Sequence, residues 1–73
     1  MNWTERLKPG SPPLRPGEFA SMTGWSYDVI RKLMNSGAIP GKAIVEGGER
    51  RIPATFARET AMSLGILDPE KAA

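Results

Sequence analysis

Ser26, Tyr27, Asp28, Arg31 and Lys32 stand close together in the chain and carry most of the polar chemistry of its central stretch. These side chains hydrogen-bond and pair with charge; none is a strong nucleophile or base as it stands. The sequence contains no histidine and no cysteine, so imidazole and thiolate chemistry are missing. The carboxylates are scattered over tails, helix starts and a turn, with no spaced pair and no phosphate-cradling glycine loop. An enzyme is not expected, nor a cofactor, a metal site or a small-molecule substrate. What this set can do is read a polar surface. Arginine donates two hydrogen bonds to guanine, and aspartate accepts one from the amino group of cytosine. Lys32 suits a phosphate, and Tyr27 a thymine methyl or a phosphate. Asp28 equally suits the positive end of a helix dipole.

A helix must present these groups. Phe19, Ala20 and Met22 supply the apolar positions of a short first helix, which Gly24 ends. Ser26 occupies an N-cap position before a second helix. At about 100° per residue, Val29, Ile30, Leu33 and Met34 fall on one side of it. Tyr27, Asp28, Arg31, Lys32 and Asn35 fall on the other. Gly37 closes this helix and Pro40 opposes its continuation. A capped second helix after a glycine turn is the shape that enters a DNA major groove. The same pattern also describes an αα-hairpin whose polar face is merely solvated. Trp25, at the turn, is expected to plug the two helices together; stacking on a base is its other reading.

The remaining chain reads as support. Its 73 residues make one small domain near the lower limit for folding alone. The net charge of +2 permits a nucleic-acid partner without demanding one. No apolar run approaches the ~20 residues that cross a bilayer, and no signal-peptide core is present. A soluble, intracellular protein with no membrane partner is expected. Residues 1–13, with their Pro and Gly run, are expected as a flexible tail in which Trp3 and Leu7 can dock and Arg6 and Lys8 can touch phosphate. The domain proper is expected over 14–67, with a frayed end at 68–73. Leu14 leads into the first helix, with Arg15 beside it as a phosphate candidate and Pro16 as the start. Lys42 to Val45 and Glu49 to Ile52 read as two strands joined at Gly47-Gly48. They would lean on the helices through Ile44 and Ile52 and stand out as a wing. Lys42, Arg50 and Arg51 would set that wing against DNA; one of the two arginines faces DNA or solvent, and the other braces the hairpin or pairs with an acid. Pro53 opens a third helix with Phe56, Ala57, Thr60, Ala61 and Leu64 inward and Phe56 as its anchor. Gly65 stops it, and Ile66 and Leu67 fold back as a cover.

The ordered set Glu18, Ala20, Gly24, Ser26, then Ser36-Gly37-Ala38-Ile39-Pro40, Gly47-Gly48 and Arg51-Ile52-Pro53 resembles the excisionase-like family, relatives of MerR-type DNA-binding domains. The resemblance runs from Glu18 to about Leu64. It implies a small α+β fold, a winged helix–turn–helix with a two-stranded hairpin wing and a C-terminal helix. It also implies a protein that binds and bends double-stranded DNA without chemistry of its own. Copies would associate head to tail on adjacent sites and assist a site-specific integrase in excising a phage or mobile element, in the cytoplasm of a bacterial cell. A small transcriptional regulator on the same fold is the near alternative, and a protein-interaction module a more distant one. The sequence departs from the family where Tyr27 and Asp28 replace basic residues and where Glu46 and Glu49 stand in the wing. No heptad stretch is present for a MerR-type coiled-coil dimer.

Overall fold

The computed structural model describes residues 2–39, 45–46 and 49–68. The order is α1 (Trp3–Arg6), α2 (Pro16–Thr23), α3 (Tyr27–Ser36), β1 (Val45–Glu46), β2 (Glu49–Arg50) and α4 (Ala54–Ser63). None of the described helices is long and apolar enough to cross a membrane.

Each main helix has an identifiable start and stop. Pro16 opens α2 at its first turn, where the missing N–H is no loss. Ser26 caps α3, its hydroxyl accepting the Val29 N–H at 3.2 Å. Gly24 and Gly37 end α2 and α3 at φ 80° and 84°, left-handed values that disfavour a side chain. Beyond α4, Gly65 turns the chain back, and the N–H groups of Ile66 and Leu67 donate to the Ala61 carbonyl. Leu67 is thereby buried as the expected apolar cover.

One core joins these elements. Phe19 from α2 lies at its centre, completely buried, stacked on Phe56 and edge-on to Trp25. Ile30 and Met34 bring α3 onto it, and Ala57 and Ala61 bring α4. The small alanines let α4 approach α2 closely. Phe56 is only half-buried, so Phe19 and not Phe56 is the anchor. Val29 and Leu64, expected inward, are each 46% exposed. Trp25, expected as a plug, is 37% exposed and covers the edge of Phe19 from outside.

The expected α+β fold with a projecting wing is corrected. The described chain is mostly helical, and its sheet is no more than a ladder of two pairs, Val45↔Arg50 and Glu46↔Glu49. Two pairs do not make an independent ribbon. Ile52, read as part of the return strand, forms an antiparallel bridge with Leu14, with N–H···O distances of 2.8 Å in both directions. Both side chains are completely buried. Ile52 is thereby held down in the core. Pro40, Lys42, Ala43, Ile44, the Gly47-Gly48 turn and the end of the 68–73 tail lie outside the described residues, as do the side chains of Glu46 and Glu49.

Within the N-terminal segment, Trp3 and Leu7 do dock on the domain. Leu7 is 1% exposed and belongs to the core, and Trp3 packs half-buried against it. Arg6 holds the arm in place. Its Nε donates to Glu18 at 3.0 Å, Nη1 to the Pro12 carbonyl at 2.9 Å, and Nη2 to the Pro13 carbonyl at 3.1 Å. Glu18 also accepts the Arg15 N–H at 3.2 Å, which satisfies a donor at the start of α2. The Arg6 hydrogen bonds lower the Glu18 pKa below its ordinary value; burial opposes this and the Arg15 N–H assists it.

Two outcomes follow. Leu7→Ala should destabilise the domain by about 2–5 kcal/mol, read from urea unfolding, whereas a truly separate tail would leave the midpoint unchanged. Because the folded-state pKa of Glu18 is depressed, its contribution is fully present above the unfolded-state value and is lost as pH falls through the folded one. The stability gap between wild type and Glu18→Gln should therefore be widest near neutrality and close in acid. A gap independent of pH would show that the Arg6–Glu18 charge pair contributes nothing.

Candidate nucleic-acid interface

The polar face of α3 is built from the turn outward. Thr23 ends α2 with its hydroxyl donating to the Phe19 carbonyl at 2.9 Å and accepting the Trp25 N–H at 3.2 Å. This pins the three-residue link that sets α3 against α2. Ile30 and Met34 then anchor one side of α3, with Leu33 half-buried beside them. With that side fixed, helical geometry turns Asp28, Arg31, Lys32 and Asn35 away from the core, while Tyr27, three residues before Ile30, stands beside the buried side in the first turn; all five are exposed.

Two arginines are tethered on this face. Arg31 Nη2 donates to Asp28 Oδ1 at 3.1 Å, one helical turn away, with both side chains well exposed. Arg50 comes from β2 and donates through Nη2 to Asn35 Oδ1. The short ladder thus delivers a second guanidinium to α3 although it forms no wing. Lys32 adds a third cation, exposed on the helix itself.

The other expected site residues are placed as follows. Ser26 is committed to capping α3. Arg15 is exposed at the N-cap of α2, on a different helix from the reading face. Arg51 is half-buried and has a partner of its own, and Arg50 reaches α3 through Asn35. Lys42 lies outside the described residues. Asn35 was recognised as polar but not as a site residue; only the fold shows that it receives Arg50, fifteen positions away. Arg6, expected at most as a phosphate contact, is a structural clamp.

Elsewhere, a cleft of about 310 Å³ lies between the N-terminal arm and the start of α4, lined by Leu7, Lys8, Ser11, Pro13, Thr55 and Arg58 among others. None of its lining residues comes from α3. Among the described residues, no three Asp or Glu side chains gather as metal ligands. No buried side-chain nitrogen or oxygen lacks a hydrogen-bond partner among them. No polar or charged residue is buried among them, so the polar chemistry is on the surface. The chain matches no protein-family model, no curated protein and no solved structure.

Loss of the cap should be measurable. Ser26→Ala should lower stability by about 1 kcal/mol, with faster amide exchange at Val29, and Ser26→Asp should restore most of it. Unchanged exchange at Val29 in Ser26→Ala would show that the cap does not hold the start of α3.

Proposed function

We propose that this protein binds double-stranded DNA by laying the polar face of α3 in the major groove. The observation that carries this reading is the placement of Asp28, Arg31, Lys32 and Asn35, with exposed Tyr27 at their edge, on the outer face of a capped ten-residue helix whose other face closes the core. A helix with its side chains is about 10–12 Å across, which fits a major groove about 12 Å wide. Tyr27, Asp28 and Arg31 sit in the N-terminal half of α3, the half that approaches base edges in helix–turn–helix docking. Lys32 and Arg50 flank it with charge for phosphates.

The class of DNA-binding protein we propose is a recombination directionality factor. The support for this step is the sequence resemblance through Ser36-Gly37-Ala38-Ile39-Pro40 and Arg51-Ile52-Pro53, together with size. One such small domain makes few phosphate contacts, so single copies bind weakly and gain by adjacent binding. Several copies seated side by side on a bacterial attachment region would bend it and bias an integrase toward excision. The product of such a protein is deformed DNA.

The test is a mobility-shift titration on DNA from the attachment region of the element encoding the protein, with circularly permuted fragments to report bending. Stepwise complexes and a large bend are expected. Arg31→Ala should weaken binding by about 1–3 kcal/mol, and Lys32→Ala should lower the salt slope by about 1. One unbent complex at a promoter would replace the recombination reading with transcriptional regulation. No complex at low salt would overturn DNA binding altogether.

A further inference from the structure

We infer that Asp28 is a positioning residue that turns Arg31 from an attracting charge into a base-reading one. The inference rests on the DNA-binding reading of α3 and adds a division of labour among its cations.

The two tethered arginines differ in what holds them. Arg31 is held by a carboxylate, at 3.1 Å from Asp28 Oδ1. Arg50 is held by the neutral amide of Asn35. The carboxylate cancels the guanidinium charge at distances beyond the pair, so Asp28 and Arg31 together add little attraction toward phosphate. The amide cancels nothing, and no carboxylate pairs with Arg50 among the described side chains. Lys32 has no carboxylate tether among the described residues. Non-specific attraction is thereby assigned to Lys32 and Arg50, and Arg31 is set apart from them.

The geometry suits base reading. A guanidinium carries five N–H donors in a fixed fork. Asp28 engages Arg31 through Nη2 alone, leaving Nη1, Nε and the second Nη2 hydrogen for the O6 and N7 acceptors of a guanine. An arginine already held in one orientation loses less side-chain freedom on binding. The pair does little for the fold. Both side chains are more than half exposed, and such pairs contribute about 0–1 kcal/mol to stability. The charge of Asp28 also works against phosphate, so a role limited to the helix dipole would only weaken DNA binding.

The experiment compares wild type, Asp28→Ala and Asp28→Glu by selection from a random duplex library, followed by titration of selected and scrambled duplexes over a salt series. Wild type should show a guanine preference that Arg31→Ala abolishes. Asp28→Ala, which removes both the acceptor and the charge, should lose roughly tenfold in discrimination at that guanine. It should also bind scrambled DNA more tightly, with a salt slope steeper by about 1. Asp28→Glu, which can still reach one turn along the helix, should restore the preference. Urea unfolding of the variants should stay close to wild type, showing that α3 is intact. Binding with an unchanged guanine preference in Asp28→Ala would overturn the inference while leaving DNA binding in place. Absence of any wild-type binding would overturn the DNA reading itself, and this inference with it.

Discussion

Two backbone hydrogen bonds between Leu14 and Ile52 close the chain on itself, and the other elements take their positions from that closure. α2 starts two residues after Leu14, α4 starts two residues after Ile52, and β2 ends two residues before it. Both residues are completely buried, so slipping the pairing by one position would turn an apolar side chain outward and a polar one in. With α2 and α4 set in this way, Phe19 meets Phe56 and the alanine face of α4 fits closely. The reading face of α3 is a consequence at one remove. It points outward because Ile30 and Met34 are claimed by the core that this closure assembles.

The N-terminal arm completes that core. A domain of this length has a total stability of roughly 4–11 kcal/mol, so the burial of one leucine is a large share. Arg6 explains how a proline-rich segment stays down. One guanidinium satisfies two carbonyls, of Pro12 and Pro13, and pairs with Glu18, which in turn holds the start of α2. The polar network on this side is structural and largely committed. That on α3 is exposed and keeps donors free, which is the arrangement a binding surface needs.

Local signals in the sequence were dependable where local physics decides. The Ser26 cap, the left-handed Gly24 and Gly37, the Pro16 start and the return of Leu67 onto the core all follow from neighbours within a few residues. Readings that depend on distant partners were less so. Nothing near Arg6 announces Glu18, twelve positions away. Ile52 alternates correctly for a strand, but pattern alone does not say that Leu14 would pair with it. Val29 lies at the edge of the apolar arc of α3, and Leu64 is the capping residue just past the end of α4, so helical spacing with the core residues does not bury either. For the candidate site, the residues on α3 were visible from periodicity. The tethers that distinguish Arg31 from Arg50 were not, because one depends on rotamer and the other on tertiary approach.

The most direct test of the account is to map where DNA touches the protein. Amide chemical-shift changes would be followed on titrating the full chain with a duplex from the attachment region at low salt. The account predicts the largest changes from Ser26 to Ser36 and at Arg50, with little change at Leu7, Lys8, Thr55 and Arg58 around the cleft. Changes centred on that cleft, with α3 unaffected, would contradict it.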